Sequence, residues 1–148
     1  MRMENMVTTT SFAEIKPATM NIGGVDYIME LGLIEKTFLG YEDHGVFTGV
    51  LELQLSGGGS QGAGCMILDA KKYPDDNKSW ERIGTAYGHD WIIQVMRTVG
   101  VESWEGLVGR RVYALKEEPY GWIRGLANVS NPSTNYLIFA HHAEIFNS

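Results

Sequence analysis

Residues 29–55 read MELGLIEKTFLGYEDHGVFTGVLELQL. Two runs rich in aliphatic and aromatic residues flank the polar group Tyr41-Glu42-Asp43-His44-Gly45. Asp caps its own backbone in such a group, and glycine accepts the positive φ that a tight turn needs. Met29–Gly40 is thus predicted as a strand, the pentapeptide as a turn and Val46–Leu55 as the returning strand. Along that second strand Phe47, Leu51, Leu53 and Leu55 share one face, and Thr48, Val50, Glu52 and Gln54 share the other, because successive side chains alternate. This hairpin is the unit around which the remaining segments arrange themselves.

Working outward, Ser56–Ser60 reads as a glycine turn and Gln61–Leu68 as a third, glycine-softened strand. Upstream, Gly23-Gly24 sits between two short apolar runs in Met20–Ile28, the composition a two-residue hairpin loop requires. The Thr-rich start and Pro17 mark residues 1–18 as poorly structured, and residues 1–28 are expected to form a partly flexible N-terminal extension to a single binding domain over 29–148. Asp69–Ile83, with Pro74 and Asp75-Asp76-Asn77, is expected to be the longest exposed loop.

One helix is predicted, from about Thr85 to Val99. Trp91, Ile92, Val95, Met96 and Val99 form an apolar stripe of period 3.6, with Asp90, Gln94 and Thr98 away from it. Gly100 is placed to end the helix as a left-handed cap, and Trp104 anchors the connection that follows. Arg110–Lys116, Trp122–Val129 and Tyr136–Phe146 read as further strands. Strands, one helix and strands again make an α+β domain, a mostly antiparallel sheet with one main amphipathic helix packed on it.

Composition narrows the function classes. The chain has 148 residues, of which 44% are hydrophobic and 20% charged, which describes a globular domain with a real core. Glycine, 18 residues or about 12% against an average near 7%, fits short strands joined by tight turns. No run approaches the ~18 apolar residues of a membrane span, and the start lacks the basic and apolar regions of a secretory leader. A single cysteine, Cys65, excludes an internal disulfide, so a reducing, cytoplasmic setting is expected. Cys65 itself reads as a small core residue of an apolar strand.

The net charge is −6, and residues 1–60 carry three basic against eight acidic side chains. Duplex nucleic acid is a poor partner for such a surface, because phosphate neutralisation needs a basic face. A local anion pocket remains open, since Arg97, Arg110, Arg111, Lys116 and Arg124 all lie in the second half with Trp104, Tyr113, Tyr120 and Trp122 interleaved. Equally open is the plainer reading that these are solvated charges on alternating strand positions.

Most catalytic signatures are missing. Gly57-Gly-Gly-Ser-Gln-Gly62 has the letters of the dinucleotide fingerprint, but a strand pattern follows it where the fingerprint needs a helix N-terminus. It reads as a flexible turn, whose backbone N–H groups can still cradle an anion. No P-loop and no nucleophile elbow occur. His141 and His142, adjacent on a predicted strand, point to opposite faces and cannot chelate one ion, so no metal and no cofactor are expected. Glu42, Asp43 and His44 share one turn and leave a general acid/base pair open, while the plainer reading has Asp capping its own backbone and Gly taking the left-handed conformation.

Binding features are better represented. Gly84-Thr85-Ala86-Tyr87-Gly88-His89 opens the helix, where unpaired N–H groups and the positive end of the macrodipole attract anions. Thr85 offers a hydroxyl, Tyr87 a stacking face and Trp80 a second ring. With an arginine, these are the minimum kit for a nucleotide, stacking for the base and charge for the phosphate. The alternative makes Thr85 an N-cap and Tyr87 a packing residue against the helix.

Phe38-Leu-Gly-Tyr-Glu-Asp-His-Gly-Val-Phe-Thr48, Gly57-Gly-Gly-Ser-Gln-Gly62, Gly84-Thr-Ala-Tyr-Gly88 and Gly100-Val-Glu-Ser-Trp-Glu-Gly-Leu-Val-Gly-Arg110 follow one another along the chain. This succession, over about residues 30–126, resembles a group of small phage and prophage proteins, the Thoeris anti-defence sponges. The resemblance implies sequestration rather than catalysis. Such proteins bind cyclic ADP-ribose-type signals made by host TIR-domain proteins, and some also hold cyclic oligonucleotides. It implies a homo-oligomer, a dimer or higher ring with pockets at subunit interfaces, in the cytoplasm of an infected bacterium. Arg110 or Arg124 would then hold phosphate, Tyr87 or Trp80 would stack on the base, and Thr85 would contact ribose or phosphate. Two rivals stand beside it: a phosphodiesterase or glycohydrolase with His44 or His89 as base, and a protein–protein inhibitor anchored by Trp104 and Trp122.

Overall fold

A computed structural model describes residues 17–41 and 45–147. Of the stretch 1–18 expected to be poorly structured, residues 1–16 lie outside the described residues, as do the turn residues Glu42, Asp43 and His44, while Gly45, at φ +70°, takes the left-handed conformation anticipated for it. The strands are β1 (Thr19–Ile22), β2 (Val25–Tyr41), β3 (Phe47–Leu55), β4 (Ser60–Ile67), β5 (Asp69–Lys71), β6 (Arg82–Gly84), β7 (Arg111–Lys116), β8 (Ile123–Ala127) and β9 (Tyr136–Ile138). Helix α1 spans Ala86–Val99, α2 spans Phe139–Phe146, and a single 3₁₀ turn covers Trp104–Gly106. The class is α+β.

The main sheet runs β4-β3-β2-β7-β8-β9, with β1 added to β2, and all its pairings are antiparallel. The predicted β2–β3 hairpin is present, paired from Gly32 opposite Leu55 to Tyr41 opposite Phe47 with a register shift between Ile34 and Lys36. The sheet curls until β4 touches β8, and Gln61 Nε2 donates to the Gly121 carbonyl across that seam at 3.2 Å.

Alternation along the strands divides two clusters. Ile34, Leu51, Leu53, Val112, Ala114 and Leu126, all fully buried, face α1. The opposite set, Tyr27, Leu115, Ala127 and Ile138, packs with Ile22 of β1. Residues 19–28, set apart in the sequence as part of an extension, are thus a hairpin of the sheet. Its turn is the expected Gly23-Gly24, at φ +60° and +89°, values that suit a primed two-residue loop.

Helix α1 begins at Thr85, whose hydroxyl donates to the Leu68 carbonyl at 2.7 Å and accepts the Gly88 N–H at 2.8 Å. It ends at Gly100 in the left-handed conformation. Trp91, Val95 and Val99 bury as the stripe predicted. The Trp91 ring fits only because β3 and β4 place glycines against it. A Cβ on Gly49 would lie 2.6 Å from Cζ3, and one on Gly64 would lie 2.8 Å from Cζ2.

Three expectations are corrected. Tyr136–Phe146 is a strand only to Ile138 and then turns into α2. A short apolar run fits either element, and Phe139 with His142, three residues on, buries a helical face against α1. Cys65 is exposed rather than core, because it is the extra residue of a bulge that shifts the β3–β4 register between Gly49 and Val50. Asp69–Ile83 is not loop throughout, since its ends pair as the ribbon β5–β6.

Candidate functional site

The residues nominated from sequence are spread over several parts of the molecule. Thr85 spends both hydrogen-bonding directions of its hydroxyl on capping α1. Tyr87, on the first turn of α1, packs its ring 5.3 Å from His142 and 5.9 Å from Phe146, so α2 covers the face proposed for stacking. Burial pushes its hydroxyl pKa up, and the oxygen has no hydrogen-bond partner among the described residues. Trp80 is 90% exposed in the β5–β6 loop, beside a small hollow with Lys71 and Arg82. Arg110 points its guanidinium toward the Gly100 carbonyl at 3.5 Å. Arg124 on β8 faces Glu117 at 3.7 Å and lines a groove with Trp122 and Tyr27. There burial and Glu117 raise the Tyr27 pKa while Arg124 opposes them.

The rival sites fare differently. His142, read as one of two divergent strand histidines, instead faces α1 from α2. Its Nε2 lies 2.9 Å from Asp90 Oδ2, the imidazole N–H donating to the carboxylate, while His141 is exposed. Trp104, the other proposed anchor, is half-buried: its indole N–H donates to Thr37 Oγ1 at 3.1 Å and its ring packs on the core. Among the described residues no three His, Cys, Asp or Glu side chains are grouped to hold a metal ion, and no helix is long and apolar enough to cross a membrane.

One nominated basic residue is in a built setting. Lys116 ends β7 on the α1-facing side of the sheet, two positions beyond Ala114, and its side chain is 5% exposed. Opposite, Glu30 continues the inward series Gly32 and Ile34 of β2. Lys116 Nζ donates to Glu30 Oε1 at 2.9 Å, and the Gly57 N–H donates to Glu30 Oε2 at 2.9 Å. The carboxylate therefore ties the floor of the sheet to the glycine turn between β3 and β4.

Above this pair the curled sheet opens into a cleft of about 720 Å³. Gly57, Gly58, Gly59 and Ser60 form one wall, and Tyr120, fully exposed in the β7–β8 turn, stands at the rim. A Cβ on Gly57 would lie 2.7 Å from Glu30 Oε2, so a larger residue there requires the carboxylate to move. Gly58 and Gly59, at φ +105° and +81°, leave open space outside the turn. Buried ion pairs are poor stabilisers compared with apolar side chains of similar volume, so a Lys–Glu pair at the base of a cleft of this size is a feature to be read for binding. The sequence signal for it was slight: one lysine and one glutamate at inward positions of two apolar strands, and a glycine run already suspected of cradling an anion.

Compared with protein-family models and with curated protein sequences, the chain matches none.

Proposed function

We propose that the protein captures a nucleotide-sized anionic molecule in the cleft at the open end of its curled sheet and holds it without turnover. The observation that carries this reading is the Lys116–Glu30–Gly57 cluster at the cleft floor. Small-molecule sites are concave, commonly ~300–1,000 Å³, and place a few converging polar groups among apolar walls, often at barrel mouths. Here the ammonium and the turn N–H groups suit phosphate, Glu30 suits sugar hydroxyls, and the Tyr120 ring offers a stacking face for a base.

The sequence resemblance makes this reading specific. The ligand is then a cyclic ADP-ribose-type signal, with cyclic oligonucleotides as alternatives, and the protein is an anti-defence sponge of the Thoeris type working as a homo-oligomer in the cytoplasm of an infected bacterium. Exposed apolar side chains such as Trp122 and Ile145, at 76% and 70%, supply surface for subunit contact. Retention without cleavage is what the resemblance implies.

Calorimetric titration of cyclic ADP-ribose isomers and cyclic dinucleotides into the wild type and Tyr120→Ala tests the proposal. Saturable binding by the wild type, weakened by about 1–3 kcal/mol in the variant, supports it; equal affinity in both moves the ligand away from this cleft.

A further inference from the structure

Glu30 stands where a ligand's anion should stand. Its two carboxylate oxygens each take one donor, Lys116 Nζ and Gly57 N, both at 2.9 Å. A lysine and a glycine-turn N–H converging on a pair of anionic oxygens is the arrangement by which proteins hold phosphate, and Gly57 has no Cβ to crowd the oxygen it faces. The cluster is neutral as it stands, so a second anion entering the cleft meets no net positive charge at its floor. Lys116 is nearly buried and supplies only one of its three N–H groups to Glu30 among the contacts of the site. Glu30 is less enclosed, its side chain 20% exposed toward the cleft, and its flexible stem allows the carboxylate to swing into water.

We infer that the floor of the cleft is an oxyanion subsite occupied internally by Glu30, and that a phosphate group of the ligand binds by displacing this carboxylate from Lys116 and the Gly57 N–H. The inference rests on the reading of the cleft as the ligand site and adds its selectivity. A monoanionic group gains nothing by exchanging with Glu30, which is itself a monoanion. A dianionic phosphate or a pyrophosphate carries more charge and more acceptor oxygens onto the same donors, so the exchange favours it, and with it the pyrophosphate of a cyclic ADP-ribose-type ligand over the monoanionic phosphodiesters of a cyclic oligonucleotide. Glu30 then acts as a built-in competitor that keeps the site closed to carboxylate metabolites and inorganic monoanions.

Inorganic pyrophosphate titrated calorimetrically at one fixed low ionic strength is the probe, with wild type, Glu30→Gln and Glu144→Gln compared. Glu144→Gln removes the same charge from exposed α2, away from the cleft. The expected result is at least tenfold tighter pyrophosphate binding by Glu30→Gln, an unchanged affinity in Glu144→Gln, and loss of the gain when Lys116→Met is added. Equal affinity in all three proteins, or weaker binding by Glu30→Gln, overturns the inference. Should Glu30→Gln fail to fold, the wild type decides it by NMR. Pyrophosphate has to shift the Gly57 amide and the Glu30 carboxyl resonances together, and a response confined to other residues overturns it.

The two proposals fail separately. Nucleotide binding that depends on Tyr120 without tightening in Glu30→Gln removes the displacement and keeps the cleft. Pyrophosphate tightening in Glu30→Gln, with no nucleotide bound by any form, keeps the subsite and removes the nucleotide.

Discussion

Lys116 and Glu30 meet at 2.9 Å on adjacent antiparallel strands, 86 residues apart in sequence, at the point where the sheet opens into a cleft of about 720 Å³. Each charge is satisfied by the other, and Glu30 also reaches the turn at Gly57. The pair therefore links the stability of the sheet's open end to the chemistry of the cleft.

Removing one partner should be much worse than removing both. Glu30→Met leaves the Lys116 ammonium, 5% exposed, without its carboxylate and is expected to cost about 3–5 kcal/mol. Glu30→Met/Lys116→Met replaces the pair by apolar side chains and should unfold in urea within about 1 kcal/mol of the wild type, or above it. Equal losses for single and double variants would mean that the pair itself stabilises the sheet.

Trp91 depends on the absence of two side chains. Gly49→Ala, whose Cβ would fall 2.6 Å from the ring, is expected to destabilise by about 1–3 kcal/mol through overpacking. Gly84→Ala, with nothing within 4 Å, should stay within about 0.5 kcal/mol of the wild type. Thermal unfolding of the two variants side by side checks the contrast.

Asp69 couples the β5–β6 ribbon to the hairpin and gives stability a pH dependence. Burial alone would raise its pKa, but two hydrogen bonds from Arg82, both 2.9 Å, and one from the Phe47 N–H outweigh it and hold the carboxyl below its usual range. A carboxyl depressed in the folded state stabilises the fold above its unfolded pKa, about 3.9, and that contribution disappears as pH falls through the folded value. Asp69→Asn should therefore be less stable than the wild type at pH 7, and the gap should close on acidification below about pH 4. Urea midpoints measured from pH 7 to pH 2 test this, and a gap that stayed constant would contradict it.

Arg124 separates the site suggested by sequence from the site suggested by geometry. A phosphate contact by Arg124 should make Arg124→Ala cost about 1.5–3 kcal/mol in nucleotide affinity. Its groove with Trp122 is distinct from the cleft over Lys116, so the expected result is unchanged affinity in Arg124→Ala beside a clear loss in Tyr120→Ala.

The elements that announced themselves in the sequence are those in which one local pattern suffices. The β2–β3 hairpin has a polar turn between alternating runs, the Gly23-Gly24 loop needs positive φ, and α1 shows both caps and a 3.6-residue stripe. Where two patterns compete, the tertiary structure decides. The run from Tyr136 to Phe146 divides into strand and helix because α1 supplies a surface for Phe139 and His142. Cys65 leaves the core because Gly49 admits Trp91 and the ladder bulges beside it. The candidate site was legible only in part. Lys116 stood among the basic residues and Gly57 in the suspect glycine run, but nothing local says that Glu30 joins them, since that follows from β2 pairing with β7 and from the curl of the sheet. Thr85 and Tyr87 drew attention as ligand groups because a helix N-terminus looks alike from sequence whether its hydroxyl caps the backbone or waits for an anion.

Capture without turnover is tested most directly by mass spectrometry of what the protein releases on heating. Wild type and Glu30→Met/Lys116→Met are incubated with cyclic ADP-ribose isomers and cyclic oligonucleotides, repurified and denatured. One intact compound released by the wild type and absent from the variant is the predicted result. A cleaved product, equal release from both proteins, or no compound from either would contradict it.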